Sequence, residues 1–220
     1  MLDRFNKIIS KEIVFQCPPK KWAAFPALFI EERQPKGNYI LIPRVSSERR
    51  KYIPIGYLDN NTIISDGAIA LPDANKFVFG VLTSQMHMAW VKYIGGRLKS
   101  DYRYSNTLIY NNFPWPKEPL DKNVAKVEAK AQKVLDVRAE FESSSLADLY
   151  DPLTMPPKLV KAHQELDKAV DLCYRPQAFM NEAARIEYLF DLYNQYTMPL
   201  LNDSKKTKKE KVNTSVTIEN

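Results

Sequence analysis

Three prolines within six residues, Pro114, Pro116 and Pro119, follow Asn111-Asn112-Phe113 and cut this chain of 220 residues in two. Each proline withdraws a backbone donor and fixes φ, so neither a helix nor a sheet ladder runs through this stretch. One unit must form before the break and another after it. With 45% apolar and 26% charged residues, both have material for a core.

Before the break the apolar residues come in short β-branched and aromatic runs. Tyr39 to Ile42 and Tyr52 to Ile55 read as strands, Lys36-Gly37-Asn38 and Leu58-Asp-Asn-Asn61 supply turn chemistry, and further short strands are expected at Thr62 to Ile64 and Ala68 to Leu71. The period then changes to three or four: Val78, Leu82, Met86, Ala89, Trp90, Tyr93 and Ile94 predict one helix, stopped by Gly95-Gly96. After the break the pattern is helical throughout. Asp121 is expected to cap a helix carrying Val124, Val127, Val134 and Leu135, Ser144-Ser145 to open a short one, Pro156-Pro157 to start a third, and a fourth runs from about Asn181. The expected fold is α+β: a small, mostly antiparallel sheet with a packed helix, then an all-α antiparallel bundle. By residue, this gives a connector at 1–21, the sheet-and-helix unit at 22–116, the helical unit at 117–201 and a basic, disordered tail at 202–220.

Charge is divided unevenly along the chain. Residues 1–110 hold 16 Lys and Arg against 9 Asp and Glu, whereas 111–200 hold 11 against 14. A basic, aromatic first half suits a phosphate backbone better than a small acidic ligand. The apolar run Ala23 to Ile30 contains Pro26 and falls well short of the roughly 20 residues of a spanning helix. Cys17 and Cys173 stand alone without a CxxC or Cys/His pattern. A reducing cytoplasm, with no disulfide, no zinc and no membrane partner, is the expected setting.

Several chemistries lack their motifs. No glycine-rich strand-to-helix turn is present for a nucleotide or S-adenosylmethionine, and Asn112-Phe-Pro-Trp115 has the wrong order for the Asn/Asp-Pro-Pro-Tyr/Phe motif of amino-methyltransferases. His87 and His163 sit among apolar neighbours and read as packed side chains. Asp59, Asp66 and Asp73 are loop-spaced without the lysine a nuclease would set beside them. What remains is polar and basic. Pro43-Arg-Val-Ser-Ser-Glu-Arg-Arg-Lys51 gathers cations and hydroxyls at a turn, and Gly96-Arg-Leu-Lys-Ser-Asp-Tyr-Arg-Tyr-Ser105 alternates charged and aromatic residues. Cations on such loops can reach phosphates or the O6 and N7 of guanine, and Asp101 accepts from a cytosine amino group, orients the neighbouring cation or forms an internal ion pair.

These segments carry a resemblance. Phe79-Gly-Val-Leu-Thr-Ser-Gln-Met-His-Met-Ala-Trp90, the Gly96 to Ser105 run and Tyr110-Asn-Asn-Phe-Pro-Trp-Pro116 resemble the C-terminal part of MmeI-like single-chain type II restriction-modification enzymes. Pro43 to Arg49 and Tyr52-Ile-Pro-Ile-Gly56 match that family's target-recognition domain, and Leu146-Ala-Asp-Leu-Tyr-Asp-Pro-Leu-Thr-Met-Pro-Pro157 its helical end. The resemblance implies recognition of double-stranded DNA on behalf of an adenine-N6 methyltransferase core, in the same or a companion polypeptide. No cofactor or catalytic residue is expected in this chain; S-adenosylmethionine, and Mg2+ for cleavage, are expected of the parent enzyme. By motif position it implies base-reading pairs Arg44 with Asp66, Gly67 with Arg103 and Lys99 with Asp101. Phosphate contacts are expected from Ser46, Ser47, Arg49, Arg50, Lys51, Arg97, Tyr102 and Tyr104. A helical protein-interaction module, a separate specificity subunit and a catalytic fragment with unfamiliar motifs stay open beside this reading.

Overall fold

The computed structural model describes residues 35–198; the connector, residues 22–34 with the rest of the N-terminal stretch including Cys17, and the basic tail lie outside them. Among the described residues the first half supplies six strands: β1 (Tyr39–Pro43), β2 (Val45–Ser46), β3 (Gly56–Leu58), β4 (Ala68–Pro72), β5 (Gly96–Leu98) and β6 (Asp101–Arg103). They form two antiparallel sheets of three, ordered β3-β1-β4 and β2-β6-β5. β1 and β4 fall where the β-branched runs predict them. Tyr52 to Ile55 does not join a ladder, because Pro54 has no donor and Ile55 N–H turns back to the Ile53 carbonyl at 2.8 Å. Thr62 to Ile64 likewise stays in a loop, tied to β1 by the Tyr39 hydroxyl donating to the Thr62 carbonyl.

The single helix expected over Val78 to Ile94 is two, α1 (Lys76–Leu82) and α2 (Gln85–Ile94). Thr83 and Ser84 break it: their hydroxyls donate to the carbonyls of Phe79 and Val81, and Ser84 Oγ then accepts from His87 N–H as the cap of α2. The apolar period runs on because both helices bury the same core. At its end Gly95 leaves no room for a side chain, since a Cβ there would lie 2.4 Å from the Val91 carbonyl oxygen. A single π-helical turn at Asn106–Tyr110 follows β6, closed by Asn111 N–H on the Asn106 carbonyl at 2.8 Å.

Beyond the prolines come α3 (Asp121–Ala139), α4 (Leu146–Leu149) and α5 (Pro157–Tyr174), and residues 182–198 form α6. Pro157 begins α5, as its fixed φ allows, and Ser145 with Asp148 forms a reciprocal capping box on α4. Asp121 does not cap α3; it is the first helical residue, after a Leu120 that makes no side-chain cap.

The helical half packs directly on the sheets. Its core and that of the sheets are one cluster, running from Ile40 and Phe79 through Phe113 and Trp115 to Val134, Leu166 and Leu189. α1 lies against α3 and α5 at Gly80, where an added Cβ would meet Val127 Cγ1 at 2.7 Å and Ala131 and Leu166 at 3.3 Å. Val127 is β-branched and cannot swing aside cheaply. Gly80→Val is expected to lower stability by about 1–3 kcal/mol, the cost of overpacking, despite the better helix propensity of valine over glycine. An unchanged urea midpoint would mean that α1 and α3 can separate without penalty.

Candidate nucleic-acid interface

Arg44 is the residue between β1 and β2, so the chain crosses from one sheet to the other there. Its N–H donates to the Gly67 carbonyl at 3.0 Å, its carbonyl accepts from Tyr104 N–H at 2.8 Å, and its Nε donates to the Asp66 carbonyl at 2.7 Å. The loop entering β4 and the end of β6 are thus stitched to one junction. Arg44, Asp66, Gly67 and Arg103, which lie up to 59 positions apart in sequence, meet at this seam.

The other pair sits along the same strand. β5 and β6 form a hairpin with Lys99 and Ser100 at its tip; Lys99 has φ of 56°, and it alone of the two is left-handed, the pattern of a type II′ turn. Glycine is the usual occupant of that position. Lys99 holds it at a conformational cost, its ammonium group projecting from the tip. Register orders the rest: Val45 faces Arg103, Arg103 faces Gly96, and Asp101 faces Leu98. Because alternate residues point to opposite faces, Val45, Gly96, Leu98, Asp101 and Arg103 share the outer face, while Ser46 and Tyr102 point to the core. Burial agrees, with Ser46 and Tyr102 buried and Arg103 and Lys99 exposed.

Electrostatically this outer face is unspent. Lys99, Arg103 and the Asp66 carboxylate make no side-chain hydrogen bond or ion pair with the described residues. From the described residues Asp101 accepts a long bond, from Glu48 N–H at 3.4 Å, and no ion pair. Arg97 lies flat over the Tyr102 ring at 4.1 Å, its Nη1 donating to the Ser100 carbonyl and lying 3.9 Å from Glu48, which stiffens the hairpin.

Several expected phosphate contacts lie elsewhere. Ser46 and Tyr104 are each 3% exposed and Tyr102 5%, so none presents its hydroxyl to a ligand. Alternation explains two of them, since Ser46 and Tyr102 are opposite each other on the inward face; the third, Tyr104, pairs its hydroxyl with His87 Nε2 at 2.9 Å. Arg50 turns toward the helical half, where it donates to the Ala147 carbonyl. Arg49 and Lys51 are exposed, Arg97 is exposed and Ser47 half-buried.

The buried polar residues do a different job, one that charge patterning did not reveal. Asp167 accepts from the Tyr52 hydroxyl at 2.7 Å and from Gln85 N–H at 2.8 Å, and burial lifts its carboxyl to about 6. Arg138 donates from Nη1 to the Ile55 carbonyl and from Nε to the Tyr150 hydroxyl, both at 2.8 Å. Tyr150, receiving from a cation that cannot accept, donates its proton to His163 Nε2 at 2.6 Å, and His163 stacks on Tyr52. Burial holds His87 down to about 3 and His163 well below the imidazole range, so both stay neutral. Tyr174 and Tyr196 donate to the carbonyls of Pro114 and Trp115. The Tyr52–Asp167, Arg138–Ile55, Tyr174–Pro114 and Tyr196–Trp115 bonds tie the sheet half or the proline segment to the helices, and the bonds of Gln85 to Asp167 and of Tyr150 to Arg138 and His163 join helical segments to one another.

Two small sheets seated on helices, with Lys99, Asp101 and Arg103 on an outer face, have the form of a recognition module with its support. Comparison with known proteins gives the family. The models of the MmeI target recognition domain and the MmeI C-terminal domain match residues 15–117 and 119–201. DNA methyltransferase A of Bacillus subtilis (strain 168) is 41% identical over 177 residues, 80% of this chain and 20% of that protein. The type IIL restriction-modification enzyme MmeI, solved in complex with DNA, superposes with a TM-score of 0.76 at 43% identity, over 90% of this chain and 26% of that one. The chain belongs to the MmeI family of restriction-modification proteins, of which it carries the target recognition and C-terminal domains, and it spans about a fifth to a quarter of the length of these relatives.

Proposed function

We propose that this chain reads double-stranded DNA in the major groove through the seam at Arg44 and the β5–β6 hairpin. The observation that carries the reading is the meeting of Arg44, Asp66, Gly67 and Arg103 at one seam beside the Lys99–Asp101 hairpin, where Lys99, Arg103 and the Asp66 carboxylate make no side-chain bond with the described residues. Successive outward residues on a strand stand about 7 Å apart, close to two base-pair rises, so Asp101 and Arg103 can address neighbouring parts of a site. A cation beside a carboxylate matches a G·C pair: Lys99 or Arg44 donates to guanine, and the aspartate accepts from the cytosine amino group. Arg103, beside the side-chain-free Gly67, reaches a purine N7. Arg49, Lys51 and Arg97 hold phosphates.

The helical half braces this strip and joins it to an adenine-N6 methyltransferase core of the same or a companion polypeptide in the cytoplasm. S-adenosylmethionine, and Mg2+ for cleavage, belong to that larger enzyme. Among the described residues no cluster of three or more His, Cys, Asp or Glu is arranged for a metal ion. No described helix is long and apolar enough to cross a membrane.

Selection of bound duplexes from a randomised pool tests the reading. The wild-type chain is expected to enrich a motif containing G·C pairs; Lys51→Glu is expected to weaken all sequences alike and flatten the salt dependence, whereas Lys99→Ala is expected to relax one position, by about 1–3 kcal/mol. Negligible affinity for any duplex at low salt would sink it.

A further inference from the structure

Two apolar side chains interrupt the charged strip. Val45 is 41% exposed and Leu98 50% exposed. Scattered exposed apolar residues are ordinary on any protein surface, so exposure alone would say nothing. Register says more. Val45 stands directly opposite Arg103 on the outer face, and Leu98 directly opposite Asp101. Each apolar group therefore touches the same volume as one of the ionic groups, and Leu98 also precedes Lys99 at the hairpin tip. On the other flank of Arg103 stands Gly96, where an added Cβ would meet nothing within 4 Å, so the surface there is an open notch. The arrangement is a ridge of two aliphatic groups set beside a cation and a carboxylate, with a gap next to the cation.

A base pair offers little for an aliphatic group to touch. In the major groove the apolar feature is the C5-methyl group of a pyrimidine, carried by thymine and by 5-methylcytosine; the other edge atoms are mostly donors and acceptors that a Val or Leu would desolvate without replacement. From this juxtaposition, and resting on the DNA-reading function above, we infer that Val45 and Leu98 are specificity residues that pack on C5-methyl groups next to the bases read by Arg103 and by the Lys99–Asp101 pair. The ionic residues then fix hydrogen-bonding edges, and the aliphatic residues add discrimination at adjacent pyrimidines, where no hydrogen-bonding side chain of the strip is aimed. The face carries the positive charge of Lys99 and Arg103, which is what a nucleic-acid partner requires.

The test uses the full chain and the duplex that it enriches, in versions with each thymine replaced singly by deoxyuridine and each cytosine singly by 5-methylcytosine. Wild type, Val45→Ala and Leu98→Ala are titrated against the set. Where thymine is the contact, uracil is expected to weaken wild-type binding about fourfold, the worth of one buried methyl of about 0.8 kcal/mol. One of the two alanine variants is expected to bind the thymine and uracil duplexes alike, and the uracil duplex as tightly as wild type does, which also shows that the variant is folded. Where the contact is 5-methylcytosine, methylation instead strengthens wild-type binding about fourfold and the same variant loses the gain. Tight, selective binding with no methyl effect at any position, or methyl effects that persist in both variants, overturns this inference and leaves the DNA-reading function standing. Absence of binding to every duplex overturns both.

Discussion

Arg138→Met is expected to lower the stability of the chain by about 2–4 kcal/mol, more than any other single change to the described polar residues, because hydrogen bonds from a charged donor are among the costliest to lose. Arg138 is 8% exposed and its guanidinium has no carboxylate partner; it is held by the Ile55 carbonyl, the Tyr150 oxygen and the ring faces of Tyr150 and Phe79 at 4.9 and 5.3 Å. Methionine keeps much of the stem volume but leaves the Ile55 carbonyl buried without a donor. Relief of the cation's own desolvation offsets part of this loss, which is why the figure stays below the sum of the bonds. Arg138→Lys should fall between, since an ammonium cannot reproduce the fork that reaches both acceptors. Urea unfolding reads the result as a lower midpoint at constant slope. A midpoint equal to that of wild type would show that the cation's desolvation cancels its bonds. The consequence for recognition is direct: Ile55 leads into β3 and Arg138 lies on α3, so this bond fixes the sheets to the helices that would carry them onto a duplex.

Local chemistry decided how much of this could be read in advance. β1 and β4 were legible because buried Ile40, Ile42, Ile69 and Leu71 alternate with half-buried Leu41 and Ala70, as a sheet packed on one face demands. α5 was legible from Pro156-Pro157 at its start and from Leu159, Val160, His163, Leu166 and Val170 on one side, of which all but the half-buried Val160 are buried. The β5–β6 hairpin was not. Its strands are only three residues long, and its turn residues, Lys99 and Ser100, lack the Asn-Gly or Gly-Xaa signature, so the segment reads as a polar loop. That single omission hid the alternation that turns Ser46 and Tyr102 inward. The break between α1 and α2 was invisible for the opposite reason: the apolar period passes straight through Thr83-Ser84, and only the return of two hydroxyls to preceding carbonyls shows the interruption. Asp167, Asp171 and Arg138 look like ordinary helix-surface charges in the sequence. They are buried because their partners, Tyr52, Arg185 and Ile55, arrive from up to 115 positions away, a pairing that no local pattern records.

The other large effect concerns specificity instead of stability. Exchanging the charges of one pair, Lys99→Glu with Asp101→Arg, is expected to invert one G·C to C·G in the selected motif and leave the other positions unchanged. Each correctly matched pair is worth about 1–3 kcal/mol of discrimination against the wrong base. Reversal acts twice, once by losing the match and once by gaining its opposite, so the preference at that position should change on the order of a hundredfold or more. Stability should hardly move. Lys99 is exposed without a protein partner, and Asp101 gives up a single 3.4 Å bond, so the urea midpoint serves as the control for folding. Glutamate meets the same left-handed backbone at position 99 as lysine does, and no new strain enters with the exchange. Enrichment of the unaltered motif would show that this pair does not read bases. Uniform weakening across all duplexes would instead make Lys99 a phosphate contact, and base selection would then rest on Arg44, Arg103 and the seam between the sheets.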